Sequence, residues 1–261
     1  IPPKFKDMTP IHPGAKDRSF YRNAEGMAED VKYYGEWMRE KAWGRIGHLY
    51  PPVDLPKEFG GGKATVIAWV WSRTVPSPDP AFADVHVPIA SSFLLGSKAG
   101  KEAWIEPIVD RNEKTIQYRV RYGGTKAELI KAREGTKSAR ANFRCLLSGG
   151  AITADYVREK AQAGQMSEVL IAVVAEGKNR RYYVAPDAEQ VSAAKVLDFR
   201  EAAKDFRETN LHGATPERLT GGTCHAFGLE NWGKLFTDRQ VISLKTLIGT
   251  LPEVMERIIA D

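Results

Sequence analysis

Between Glu25 and Ile46, apolar side chains recur at Met27, Val31, Tyr34, Met38 and Ala42, the spacing of a helix buried along one face. Glu29 and Asp30 stand near its start, where negative charge suits the helix dipole, and Tyr50-Pro51-Pro52 predicts a turn beyond its end. The pattern then changes. From Ala64 to Trp71, Val66, Ile67, Trp69, Val70 and Trp71 leave almost no polar break, which predicts a strand buried on both faces. Pro76, Pro78 and Pro80 each fix φ and remove an amide donor, so irregular chain is expected after it. Ala103 to Val109 and Thr115 to Arg121 predict a hairpin joined by Asp110-Arg111-Asn112-Glu113-Lys114. In its second arm Ile116, Tyr118, Val120 and Tyr122 alternate with Gln117, Arg119 and Arg121, which puts the apolar set on one face and both arginines on the other.

Lys126 to Arg133 predicts a short helix and Gly135 to Asn142 a polar loop. Thr153 to Ala163 reads as a helix ending at Gly164. Glu168 to Ala175 is a second apolar strand, returning through Gly177-Lys178-Asn179 into Arg180 to Val184. Ala188 to Phe206 is expected to be helical, and Thr209 to Gly233 is turn-rich without a readable period. Thr237 and Gln240 form a capping box opening the last helix, with Val241, Leu244, Leu247, Ile248 and Leu251 as its apolar face. Pro252 breaks or kinks it before Val254, Met255, Ile258 and Ile259 resume the pattern. The order of elements predicts an α+β chain in three stretches. Residues 1–62 form an N-terminal connector and helix, 63–186 a β-rich module, and 187–261 a C-terminal helical segment.

Hydrophobic content of 43% and charged content of 27% are ordinary for a soluble domain, and no apolar run approaches the roughly 18 residues of a membrane span. Two cysteines, Cys145 and Cys224, are too few for a disulfide scaffold, which predicts a reducing, cytoplasmic setting. The first residue is Ile1, which reads as a processed start or a piece of a longer chain. Net charge is +5, and its distribution matters more than its size. Between Arg111 and Arg144 ten basic residues face only Glu113, Glu128 and Glu134. Two readings stay open for this segment: a solvated charged face, or a surface that neutralises phosphates. Tyr122 and Phe143 lie close enough in sequence to add stacking or wedge contacts, and Arg180 and Arg181 form a smaller second patch.

Catalytic motifs are missing from the sequence. It has no G-x-S-x-G elbow, no G-x-x-x-x-G-K-[ST] loop, no H-E-x-x-H and no paired C-x-x-C. Gly60-Gly61-Gly62-Lys63 precedes a strand, whereas a phosphate cradle follows a strand and opens a helix, so a flexible turn is expected. Arg144 beside Cys145 would favour a thiolate, and His225 adjoins Cys224. His12, His48, His86, His212 and His225 are scattered, and with the two cysteines they supply no ligand pair for zinc.

Several strings taken together resemble one family. They are Ile1-Pro2-Pro3-Lys4-Phe5, GMAEDVKYYGEWM from Gly26 to Met38, RIGHLYP from Arg45 to Pro51, ATVIAWVWSRTV from Ala64 to Val75, KAQAGQMSEVLIAVVAEG from Lys160 to Gly177, and LFTDRQ from Leu235 to Gln240. In order and spacing the chain is similar, over essentially its whole length, to large adenine-specific DNA methylases with an inserted zinc ribbon, often encoded in phage-defence loci. The resemblance implies a larger α/β enzyme that uses S-adenosylmethionine to methylate the exocyclic amine of adenine. Its D-P-F-x-G-x-G cofactor loop would precede Ile1 and its D-P-P-Y motif would follow Asp261. This chain is then the region between them, expected to carry target recognition, no cofactor of its own and no catalytic residue. Relatives carry a C-x-x-x-C-G element after the first apolar strand and a C-x-x-C-G element later. Here those stretches read Ser77-Pro78-Asp79-Pro80-Ala81-Phe82-Ala83 and Cys145-Leu146-Leu147-Ser148-Gly149. A ribbon-shaped module without metal is therefore expected, held by apolar packing from Phe82, Phe143 and Leu146.

Charge and alternation assign contact with double-stranded DNA to Arg119, Arg121, Lys126, Lys131, Arg133, Lys137, Arg140 and Arg144. The remainder of the methyltransferase and other defence subunits are the further partners implied. The alternative is a protein-interaction or structural insert of a phage-defence complex.

Overall fold

A computed structural model describes residues 3–15, 18, 20–177, 180–195, 199–217 and 223–261. Lys178 and Asn179 of the expected hairpin turn, and residues 196–198 within the expected 188–206 helix, lie outside that set. The fold is a mixed α+β arrangement with small antiparallel sheets. It divides into two compact units, Ile1–Leu49 with Leu197–Thr209 and Phe236–Asp261, and Tyr50–Val196 with Asn210–Leu235. Hydropathy alone places the breaks at 63 and 187. The sheet unit reaches further because Val53 pairs with Ala64 and because Ala194 joins the core under the sheet, which ties both flanks to it.

The helical unit contains α1 (Glu25–Ile46), α5 (Arg200–Asn210), α7 (Asp238–Gly249) and α8 (Leu251–Ala260). α1 spans the predicted residues and buries Tyr34 and Ala42, yet Val31 is 63% exposed. The Thr237 hydroxyl accepts from the Gln240 amide and Gln240 accepts from the Thr237 amide, closing the capping box. Pro252 falls in the first turn of α8, where a missing N–H has no intrahelical acceptor to lose, so the break comes at Thr250. Arg239, 7% exposed, donates to the Leu49 carbonyl at 2.7 Å, and Arg207 reaches Asp238 at 2.5 Å. Of the expected apolar face of α7 and α8, Val241 and Val254 are buried. Leu247, Ile248, Leu251, Met255 and Ile259 stay between 40% and 81% exposed.

The sheet unit is built on β2 (Lys63–Pro76) and β10 (Ser167–Glu176). The sheet runs β1 (Val53–Asp54), β2, β10, β11 (Arg181–Val184), and β3 (His86–Pro88) also pairs with the end of β2. Register shifts between Leu170 and Ala172 and between Val174 and Ala175 put bulges into β10, which curve it. β10 is buried on both faces. Leu170, Val173 and Ala175 pack with Val53, Val66 and Ala194 of α4 (Ala188–Lys195), while Ile171 and Ala172 pack with Phe93, Trp104 and Ile105 on the other side. β2 departs from its expected double burial, with Ile67 43% exposed and Thr65 and Ala68 open to solvent. The cluster that covers the second face of β10 reaches Val70 and stops, so the first half of β2 is covered on one side alone. Pro76 is the last residue of β2, paired with His86, so irregular chain begins one residue later than predicted. Gly60, Gly61 and Gly62 all have positive φ and turn β1 into β2, with the Leu55 amide donating to the Gly62 carbonyl. No helix opens there, consistent with a turn and not a phosphate cradle.

A second sheet is β4 (Leu94–Gly96), β5 (Ala103–Asp110) and β6 (Thr115–Tyr122), followed by α2 (Lys126–Glu134). The β5–β6 hairpin closes at the predicted turn, where Asp110 Oδ1 accepts from the amides of Asn112 and Glu113. A third sheet is β7 (Lys137–Ala139), β8 (Asn142–Arg144) and β9 (Ala151–Ile152), followed by α3 (Ala154–Gln162). β7 corrects the expected polar loop: its three residues are all exposed, so it has no apolar alternation to read, and pairing to β8 alone makes it a strand. α6 (Thr223–Ala226) lies in the turn-rich stretch.

α2 begins at a second capping box. Thr125 Oγ1 accepts from the Glu128 amide at 3.3 Å, and Glu128 Oε2 accepts from the Thr125 amide at 2.7 Å. The Thr125 amide and hydroxyl, both donating to Oε2, lower the Glu128 carboxyl pKa from its ordinary value. Thr125→Ala is expected to lower stability by about 1 kcal/mol, read from the midpoint of urea denaturation. An unchanged midpoint would mean that the box adds nothing to the helix.

Candidate nucleic-acid interface

All eight basic residues assigned to DNA contact are exposed, and they fall on four successive elements, β6, α2, β7 and β8, with Arg140 in the turn between the last two. On β6 the register pairs Arg119 with Glu106 and Arg121 with Trp104, so both arginines lie on the face that carries Glu106 and the buried Trp104, and both side chains extend into solvent. They share one carboxylate, with Arg119 at 3.8 Å and Arg121 at 3.9 Å from Glu106 Oε2. Two positive charges against one negative leave that face less basic than the sequence alone indicates. The apolar alternates of β6 are half-buried against the core, as predicted. Lys126, Lys131 and Arg133 stand on the exposed side of α2, whose inner side buries Ala132. Neither they nor Lys137, Arg140 and Arg144 make an ion pair among the described residues.

The β7–β8 pair divides its own basic residues. Lys137 pairs with Phe143, and partners in an antiparallel ladder share a face, so Lys137 lies on the side where Phe143 meets the core. Arg144, one residue on, points to the opposite face. Arg140 sits in the turn at φ 42. The two remaining basic side chains of this segment, Arg111 and Lys114, have partners, and so does Arg180 of the second patch. Arg111 donates to the Leu147 carbonyl at 2.6 Å, Lys114 faces Asp84 at 3.4 Å, and Arg180 stacks over Tyr182 at 4.6 Å in the smaller patch. Tyr122 is not available as a wedge. Its hydroxyl donates to the Tyr183 carbonyl at 2.9 Å and accepts from the Tyr183 amide at 2.7 Å, while its ring meets Phe59 at 4.7 Å. Phe143 is half-buried at the edge of the third core cluster.

That cluster takes in Phe82 from the stretch 77–83 and Cys145 and Leu147 from the stretch 145–149. Cys145 is 1% exposed, packed with Val75, Val87, Leu147, Ile152 and Val157 and flanked by Phe82 and Phe143. Its Sγ lies 3.4 Å from Ser77 Oγ and accepts from the Ser148 amide at 3.5 Å. Burial pushes the thiol pKa up, but hydrogen bonds from Ser148, Ser77 and the Leu147 amide outweigh it and bring the thiol below its ordinary value. A zinc ion does not fit this donor set, because two hydroxyls and one thiol do not make a tetrahedral thiolate site. Among the described residues no three His, Cys, Asp or Glu side chains converge as a metal requires. Both cysteines are free.

His225 Nε2 donates to the Thr215 carbonyl at 2.7 Å, and His86 Nδ1 is 3.2 Å from the Thr74 hydroxyl, so each is engaged in a local structural contact. His12 stacks on Tyr33 at 4.5 Å. Sequence reasoning missed a cavity beside the β7–β8 turn, whose wall combines Phe143 with residues as distant as Ile89 and Phe227. No helix is long and apolar enough to cross a membrane among the described residues. Comparison with protein-family models, with curated proteins and with solved structures finds no match to this chain.

Proposed function

We propose that this chain is a DNA-contacting portion of a cytoplasmic adenine-N6 DNA methyltransferase of the zinc-ribbon type that the sequence strings resemble. The observation that carries the DNA half is the set of six exposed cations, Lys126, Lys131, Arg133, Lys137, Arg140 and Arg144, which have no ion-pair partners among the described residues. Strand register nevertheless turns Lys137 and Arg144 to opposite faces of the β7–β8 pair. Like charges so close in sequence repel one another, and a polyanion removes that repulsion while releasing its own counterions. Arg119 and Arg121 on the hairpin add reach along a phosphate backbone; phosphate contacts of this kind read no base by themselves. Methyl transfer is assigned to no residue here, and S-adenosylmethionine and the flipped adenine belong to the parent enzyme. The ribbon would be a metal-free form in which Ser77 and Ser148 surround the remaining cysteine, with Phe82 and Phe143 packed beside it.

The test is binding of the full chain to a labelled duplex by fluorescence anisotropy across a salt series. Binding is expected to weaken steeply with salt. Replacing Lys126, Lys131, Arg133 and Arg144 by alanine is expected to flatten the slope of log K against log salt by roughly 3 to 4 units. Salt-independent affinity, or an unchanged slope in the variant, would remove the DNA assignment from this surface.

A second reading rests on a different observation. Leu247, Ile248, Leu251, Met255 and Ile259 form an exposed apolar series along α7 and α8, which favours a protein surface docking on the helical unit. The two readings are compatible if the helical unit docks on the rest of the methyltransferase and the sheet unit meets DNA.

A further inference from the structure

The cavity beside the β7–β8 turn has a volume of about 350 Å³, within the range of small-molecule sites. Ile89, Phe143, Val157, Met166, Phe227 and Leu229 make an almost wholly apolar wall. The polar side chains that line it are Arg73, Lys137 and Arg140, all cationic. Arg73 is held by Glu168 at 2.8 Å, so Lys137 and Arg140 supply the uncompensated charge. The pairing of Lys137 with Phe143 sets the ammonium on the face where the Phe143 ring lines the cavity. Arg140 adopts φ 42, a left-handed backbone that glycine takes more readily, yet an arginine occupies the turn at the cavity's edge. Backbone strain, charge and apolar lining thus coincide at one place.

We propose that this cavity binds a small organic anion with a compact apolar body, its carboxylate held at the mouth by Lys137 and Arg140. Hydrocarbon gains by leaving water for the wall, and the two cations supply the charge that fixes its polar end. A nucleobase is a poorer occupant, because the donors and acceptors on its edge would face a wall whose side chains offer no partner. Inorganic phosphate has no apolar body to fill the space. This site shares Lys137 and Arg140 with the DNA-contacting set but is tested apart from it, because none of the four residues in the alanine variant above lines the cavity.

The test is calorimetric titration of the full chain with octanoate, with octanol as the uncharged match and acetate as the anion without a body. Octanoate is expected to bind saturably, octanol about tenfold more weakly or worse, and acetate not at all. Arg140→Gly relieves the left-handed strain and removes the cation, so its thermal midpoint is expected to hold or rise while octanoate affinity falls about tenfold. Ala154→Trp, which fills the cavity from the start of α3, is expected to abolish octanoate binding. The proposal is overturned by any of three results: no saturable octanoate binding, equal affinity for octanol, or octanoate affinity unchanged in a folded Arg140→Gly protein.

Discussion

Replacing Gly135 with alanine is expected to destabilise the sheet unit by about 3 kcal/mol or more, among the larger losses a single methyl group can cause. Gly135 ends α2 at φ 60 and ψ −129, a region that L side chains rarely adopt. A Cβ at this position would meet the Ala90 carbonyl oxygen at 2.4 Å, the Ser92 amide nitrogen at 2.8 Å and the Ser91 carbonyl carbon at 3.0 Å. All three are backbone atoms, so no flexible side-chain end can swing aside. The neighbouring Thr136, 4% exposed, makes relief by backbone shift expensive. Its amide donates to the Ala90 carbonyl at 2.9 Å, its hydroxyl reaches the Pro88 carbonyl at 3.1 Å, and it accepts from the Ala90 amide at 2.9 Å. Displacing either strand of this contact would strand buried polar groups. Gly149 is the control, with φ 77 and no atom within 4 Å of the place a Cβ would occupy. Gly149→Ala is expected to cost about 1 kcal/mol from backbone strain alone. Urea denaturation of both variants separates the two effects, and equal losses would show that close approach to Ala90 contributes nothing.

The variant carrying Ser77→Cys, Ala81→Cys and Ser148→Cys is expected to take up one zinc ion per chain and to hold it against a mild chelator. The natural chain is expected to show no such retention. In a tetrahedral site with Zn–S bonds of about 2.3 Å, neighbouring sulfurs stand about 3.8 Å apart. Ser77 Oγ and Cys145 Sγ are already 3.4 Å apart, and Cys145-Leu146-Leu147-Ser148 has the two-residue spacing of a ligand pair. The Ser148 amide points at the sulfur, as a thiolate requires. Ala81 lies in the short turn Pro80–Phe82, whose Phe82 packs against the Cys145 cluster. Structural zinc in peptides of this ligand type is bound by about 10 kcal/mol or more, so the variant should gain a large chelator-sensitive rise in its thermal midpoint. Zinc content after dialysis and the midpoint with and without chelator are the measurements. A folded variant without stoichiometric zinc would mean that positions 77, 81 and 148 do not converge with Cys145 as the corners of a tetrahedral site.

Local period and local chemistry were legible in the sequence, because each is set by residues within one turn of helix or one hairpin. The 22-residue α1, the capping box at Thr237, the β5–β6 hairpin and the outward placing of Arg119 and Arg121 all follow from spacing alone. The failures share a different cause. Ile67 is exposed because cover over β2 stops at Val70, a fact about where another sheet ends. β7 exists only through its partner β8, and carries no pattern of its own. The basic segment, continuous as a string, is divided by strand register. Arg119 and Arg121 share Glu106, Lys137 turns with Phe143 toward a cavity, and Arg144 faces away. What the sequence by itself determined is the long elements, among them α1, β2, the β5–β6 hairpin, β10 and the two last helices, together with the exposed cations. The short strands β1, β3, β4, β7 and β9 carry no readable pattern. Tertiary structure decided which of those cations have partners, that Cys145 meets two serines, and that Ile89, Met166 and Phe227 enclose one cavity. The reason is physical: periodicity encodes a side chain's direction from its own backbone, whereas its neighbours are fixed by contacts between segments far apart in the chain.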